Sequence, residues 1–246
     1  MINSVVLAAP FFDAVRTELD ALGGRSDLAA LNELAALRGL RTRFVQPPTN
    51  LSAIGYEMTI DATGQVPTRD NPHDFFNALQ WIAFPRTKAG INAGHLRYPA
   101  AVNASRPVAR DVLTMIDESG VIVASNDPGL LDLLRGFRWR ELFVERRSDV
   151  LAHMRFSLLG HGLMEKALAP FIGLTGKAIL LYLDADEPLD TPASRWLTDD
   201  VHLASSRILA PLPLLGIPGW DARNENPAFY ENADYFRPGR QVRMRY

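Results

Sequence analysis

The stretch Val112-Leu113-Thr114-Met115-Ile116, Asp117-Glu118-Ser119-Gly120, Val121-Ile122-Val123-Ala124 decides how the rest of the chain is read. Two runs rich in β-branched and large apolar residues flank four residues that end in glycine, and this pattern predicts a hairpin. Gly120 is then expected to hold a positive φ, which a residue without Cβ adopts at no steric cost. Asp117 and Glu118 are expected in the turn for backbone reasons, as acidic residues favour tight turns.

Upstream, Tyr56 to Ile60, Asp61 to Gly64 and Val66 read as a second hairpin. Phe44-Val45 reads as a short strand interrupted by Pro47 and Pro48, which carry no amide donor. Helices alternate with these corners. Phe12, Val15, Leu19 and Leu22 share a helical spacing that stops at Gly23-Gly24. Ser26 reads as the cap of a helix whose stripe runs from Leu28 to Leu37. Asn71 or Asp70 caps a helix through Phe75, Phe76, Leu79 and Ile82, closed by Pro85, and Arg86 to Leu96 forms the next. Asp127-Pro128 opens another in the cap and first helical positions. A short helix follows at Trp139 to Arg147, then a strand at Met154 to Leu159 and a helix over Gly162 to Ala169. Lys177 to Leu183 has strand length, and a helix is expected over Pro192 to Leu209. Pro211 to Trp220 is apolar but rich in proline and glycine, so it is expected to lie buried and irregular across the body. These elements predict an α+β fold with helices packed around short hairpins or a small mixed sheet. A single domain over residues 1–246 is expected, with a helical segment at 1–40 and an irregular wrap at 211–246.

The 246 residues are 47% hydrophobic and 22% charged, the balance of a folded chain and far from that of disorder. A net charge of -2 gives no general attraction to nucleic acid or to anionic lipid, although Arg237, Arg240, Arg243 and Arg245 make the end of the chain locally basic. No cysteine is present, which removes disulfides, thiolate ligands and cysteine nucleophiles together. The apolar run Val5 to Pro10 is too short for a signal segment, and no run approaches a membrane span. A cytoplasmic protein is the expectation. The chain contains no GxxxxGK[ST], GxGxxG or GxSxG pattern, which sets nucleotide-binding and α/β-hydrolase readings aside.

The remaining chemistry is concentrated in a few segments. His73 and Asn77 are four apart on one helix face, as are His161 and Glu165, and Lys88, Asn92 and His95 fall at i, i+4 and i+7. Each histidine lies beside apolar residues and needs hydrogen-bond partners, which local spacing assigns as Asn77 for His73 and Glu165 for His161. The two histidines are expected to share one polar site, and the two helices around Phe84-Pro85 to face each other across a cleft.

The blocks His73-Asp74-Phe75-Phe76-Asn77-Ala78-Leu79 with Trp81, Phe84-Pro85, Thr87-Lys88 and Asn92 through His95 resemble a bacterial family catalogued as domain of unknown function number 3025. Arg110-Asp111 to Thr114, Asp117-Glu118-Ser119-Gly120, Gly160-His161 to Glu165, Pro211 to Trp220 and Phe229-Tyr230 to Phe236-Arg237-Pro238 extend the similarity over about Tyr56 to Pro238. The resemblance implies one cytoplasmic domain and leaves the mechanism to the residues. Those residues suggest a hydrolase acting on a phosphorylated or otherwise anionic small molecule. His73, His95, His161 and Glu165 would be its acid-base groups or ligands of a divalent metal such as zinc, iron or manganese. Arg69 and Lys88 would neutralise the substrate, and Asn77 and Asn92 would orient it. The other reading is a non-catalytic ligand-binding or regulatory protein. Nothing in the sequence indicates an oligomeric state.

Overall fold

A computed structural model describes residues 4–99, 107–184 and 186–239. The fold is α+β, 57% helical and 13% strand, with sheets of two and four strands. Helix α1 (Ser4–Leu7) leads through a 3-10 turn at Pro10–Val15 into α2 (Arg16–Leu22), which ends at Gly23 with φ 57°. Helix α3 (Leu28–Leu37) follows. Its cap is Asp27, whose carboxylate accepts from Ala30 N, rather than the expected Ser26. Strands β1 (Arg43–Val45) and β2 (Gln65–Pro67) pair in parallel, with α4 (Ala53–Thr63) between them.

The first expected hairpin is therefore absent, because Tyr56 to Ile60 lies within α4. Ser52 caps that helix on Gly55 N, and Gly64, at φ 69°, closes it on Ile60 O. Helices α5 (Pro72–Ala83) and α6 (Pro85–Arg97) run as read, with Asn71 capping α5 on Asp74 N.

The opening stretch is also a correction. Val112 to Ile116 belongs to α7 (Val108–Ser119), which passes directly into β3 (Gly120–Ser125). Val112, Leu113 and Ile116 are all buried, a helical i, i+1, i+4 set that an alternating strand would not bury together. Gly120 is extended, at φ -67° and ψ 143°, so no positive φ is required there. Its lack of Cβ still matters, since a Cβ would collide with the Ile116 carbonyl one turn back.

Helix α8 (Pro128–Arg135) is capped by Asp127 as expected, and a π-helical turn at Glu141–Glu145 leads to α9 (Arg147–His153). Then come β4 (Met154–Leu158), α10 (His161–Lys166) and β5 (Thr175–Tyr182). The helix expected over 192–209 is broken into α11 (Asp190–Trp196), α12 (Asp200–Leu203) and a 3-10 turn at Ser206–Ile208. Asp199 and Ser205 cause the breaks, because each starts a new cap by accepting a backbone N–H two residues on.

The main sheet has the order β4-β3-β5-β6, with β6 at Ala210–Pro213. Strand β3 is antiparallel to β4 and parallel to β5, and β5 is antiparallel to β6. Alternation along β3 divides the core, with Val121 and Val123 on one face and Ile122 and Ala124 on the other. The first face is covered by α5, α8 and the C-terminal segment, the second by α6, α7 and α11. The expected irregular wrap therefore starts as an edge strand, and Leu214 N still donates to Leu174 O beyond its end. Leu212 to Ile217 is buried as expected, tied down by Asn224 Nδ2 donating to Leu215 O and Ile217 O and by the Tyr230 hydroxyl donating to Gly216 O. Of the basic tail, Arg240, Arg243 and Arg245 lie outside the described residues.

Candidate functional site

The site forms where α7 turns into the central strand. Because β4 and β3 pair with Leu158 opposite Val121, the chain leaving β4 returns beside the start of β3. Leu159 N and Gly160 N both donate to Gly120 O at 2.9 Å, and α10 begins at His161. This approach leaves no room for side chains. A Cβ on Gly160 would lie 2.5 Å from Ser119 N and 2.6 Å from the carbonyl carbon of Glu118, and one on Gly162 would meet the Glu118 carboxylate. The Gly160-His161-Gly162 segment thus lets two backbones touch, which brings His161 against the last turn of α7. Helix α5 closes the third side. Gln80 Nε2 reaches Leu158 O at 2.9 Å and the Met164 sulfur at 3.1 Å, and two turns earlier in α5 His73 faces α10.

His73 and His161 meet with Nε2 to Nε2 at 3.0 Å, their rings nearly perpendicular. Glu165 Oε2 lies 2.9 Å from His73 Nδ1. Glu118 Oε1 is 3.6 Å from His161 Nε2 and 3.9 Å from His73 Nε2. His73, Glu118 and His161 are the one group of three among the described residues whose ligand atoms come close enough to hold one metal ion. Burial pushes the His161 imidazole down to about 4, against the opposing pull of Asp117, so the ring is neutral at pH 7. The Glu118 carboxyl is raised, mainly by burial and also by Asp117, with His73 opposing.

Glu118 also belongs to a cleft of about 680 Å³ lined by residues of α4, α5, α6, the end of α7 and the Pro47 to Ala53 segment. Its wall contains Arg69, Lys88, Asn92 and His95, four of the expected site residues. The cations there are already occupied. Arg69 donates through Nε and Nη2 to both oxygens of Asp74, at 3.0 and 2.9 Å, and the buried Lys88 ammonium pairs with Asp117. Asn92 Nδ2 donates to Glu57 O at 3.1 Å, while His95 Nδ1 lies 3.9 Å from Glu57 Oε1. Arg110 pairs with the same Glu57 carboxylate.

The structure thus brings His73, His161 and Glu165 together, but with a different pairing from the one that spacing suggests. Glu165 serves His73 rather than His161, because α10 crosses α5 and a neighbour across that interface replaces the local one. Asn77 does not serve His73, since its Nδ2 donates to the Tyr56 hydroxyl at 2.9 Å, and it lines neither the cluster nor the cleft. His95 belongs to the cleft wall, not to the histidine pair. The two helices around Phe84-Pro85 both line the cleft, α5 through Asp74 and Trp81 and α6 through Lys88, Ile91, Asn92 and His95. Asp117, Glu118 and Glu57 are the residues that sequence reasoning missed. Reading Val108 to Ser119 as helix would have found Asp117, because Arg110, Thr114 and Asp117 then form a polar row.

An α+β chain with two histidines and a carboxylate converging beside a polar cleft is the class that fold and site define. The chain belongs to the family described as protein of unknown function DUF3025, which matches residues 42–240. No curated protein and no solved structure matches the chain.

Proposed function

We propose that this protein is a cytoplasmic, metal-dependent hydrolase of a small phosphorylated or otherwise anionic molecule, with His73 Nε2, His161 Nε2 and Glu118 Oε1 as the metal ligands. The observation that carries this reading is the 3.0 Å separation of the two Nε2 atoms. Two nitrogens bound about 2.0–2.1 Å from one zinc ion at angles between about 90° and 110° are about 2.9–3.4 Å apart. Glu118 need move only a few tenths of an ångström to complete the set. Two histidines and one carboxylate with open positions are the ligands of many catalytic zinc sites.

The charge balance fits an anionic substrate once a divalent ion is present. Arg69 and Lys88 are neutralised by Asp74 and Asp117, so anion affinity would come from the ion, held by one carboxylate and two neutral imidazoles. A bound ion supplies a nucleophile by lowering the pKa of its water. Glu165 holds His73 by its Nδ1 and keeps Nε2 aimed at the ion. Hydrolysis needs no co-reactant beyond water, which delivers hydroxyl to the acyl or phosphoryl centre and a proton to the leaving group.

The test is metal content by mass spectrometry, followed by turnover of p-nitrophenyl phosphate and p-nitrophenyl acetate with zinc, manganese or iron. About one ion per chain is expected, with His73→Ala, His161→Ala and Glu118→Gln each losing at least 10-fold in affinity. The two histidine substitutions should be non-additive, because both act on one centre. No bound metal, or additive effects on stability alone, would sink the proposal. Stoichiometric metal without turnover would favour the ligand-binding alternative.

A further inference from the structure

We infer that Asp117, held by Lys88, is the positioning residue that selects the metal-binding tautomer of His161; the inference rests on the metal centre proposed above. It begins with a buried ring nitrogen. His161 Nδ1 is buried and makes no hydrogen bond of normal geometry; Asp117 faces it with its main chain and with a carboxylate oxygen, Oδ1, at 3.9 Å. In the absence of metal, the 3.0 Å contact between the two Nε2 atoms needs one proton. A neutral His73 that turns Nδ1 to the Glu165 carboxylate donates from that nitrogen and accepts at Nε2. The proton in the contact is then on His161 Nε2, and His161 Nδ1 is left as a bare lone pair.

Metal binding reverses this assignment. Both Nε2 atoms must present lone pairs to the ion, so the neutral His161 must carry its proton on Nδ1. That N–H is buried and needs an acceptor, and among the described residues the carboxylate placed to receive it is that of Asp117, which must close in by about 1 Å to reach ordinary hydrogen-bond length.

Lys88 explains why Asp117 is available. The Lys88 side chain is 2% exposed and lies 5.8 Å from the centroid of the Trp81 ring, with its ammonium paired to Asp117. Burying a lysine against a half-buried aspartate is costly and rarely stabilises a fold, so the pair calls for another role. Here it keeps an anion fixed behind His161, as Glu165 is fixed behind His73. The two ligands would then carry matched carboxylates, and Lys88 would act through Asp117 rather than on substrate.

The experiment is zinc titration of the intact protein, with 15N NMR of histidine-labelled samples. Wild type is expected to shift His161 from the Nε2–H to the Nδ1–H tautomer as zinc binds. Asp117→Ala should weaken zinc binding 10- to 100-fold and lose the sharp Nδ1–H proton signal. Asp117→Asn, which retains an acceptor oxygen, should recover most of both. Lys88→Met should weaken zinc binding, with circular dichroism confirming the fold and Lys88→Arg giving rescue. If wild type binds zinc and Asp117→Ala binds it equally well, this inference fails alone; if His161 coordinates through Nδ1, this inference and the Nε2 ligand set proposed above both fail. If wild type binds no zinc, both the metal reading and this inference fail.

Discussion

At the scale of the residue, the neutral His161 makes stability depend on pH in a definite direction. An unfolded chain protonates this imidazole near 6.5, whereas the folded one resists until about 4. Between these values the unfolded state holds the extra proton, so stability falls as pH falls. The stabilisation is fully present above about pH 6.5 and is lost down to about pH 4, to the extent of roughly 3 kcal/mol. The Asp117 carboxyl is held below its ordinary value: burial would raise it, but the charge and hydrogen bond of Lys88 outweigh that. It therefore extends the loss further into acid. Urea denaturation of the metal-free protein at pH 7, 5.5 and 4.5 measures the effect, and His161→Gln should flatten the slope in that window. An unfolding midpoint that does not move between pH 7 and 4.5 would count against a buried neutral imidazole. None of this can be read from residue spacing, because both partners of His73 arrive from more than 80 positions away.

At the scale of the element, the glycines beside the α7 to β3 corner separate stability from site geometry. Gly160→Ala places its Cβ against the backbone of residues 118 to 120, which cannot move without breaking the corner, and should destabilise by about 1–3 kcal/mol. Gly162→Ala meets chiefly the Glu118 carboxylate, which can rotate away, and approaches the Glu118 carbonyl oxygen at 3.2 Å. It should keep most of its melting temperature and lose metal affinity instead. Equal thermal shifts for both variants would show that Glu118 is not displaced. Helix ends were legible where a short polar side chain caps locally, as at Asn71 and Asp127, and the strands at 154 and 177 were legible from apolar length. Both expected hairpins fail for one reason. Runs of β-branched residues can sit in a helix when buried contacts reward it, and the caps at Ser52 and Gly64 outweigh strand propensity. The site was legible as a set of residues but not as a set of pairs, since i, i+4 spacing describes one helix and the contacts here cross between two.

At the scale of the whole molecule, the C-terminal segment is held by polar contacts as well as by apolar burial. Tyr235 Oη accepts from Leu215 N and donates to Leu174 O, and Asn224 Nδ2 serves two further carbonyls of the same segment. Asn224→Ala leaves those carbonyls unsatisfied and should cost about 1–3 kcal/mol. Pro211 to Trp220 should resist proteolysis in the wild type, and cleavage there without global unfolding would contradict its place in the core. The strand that begins this segment has a consequence for how copies of the protein meet. Even-numbered residues of β6 turn their amides toward β5, as Leu214 does, so Pro211 and Pro213 turn away from it, Pro213 buried and Pro211 partly exposed at the edge of the sheet. An approaching strand would find no N–H donor at Pro211, which hinders the ladder that begins intermolecular aggregation. Replacing Pro211 with valine restores that donor without removing apolar bulk. Light scattering at rising protein concentration should then detect self-association that the wild type avoids.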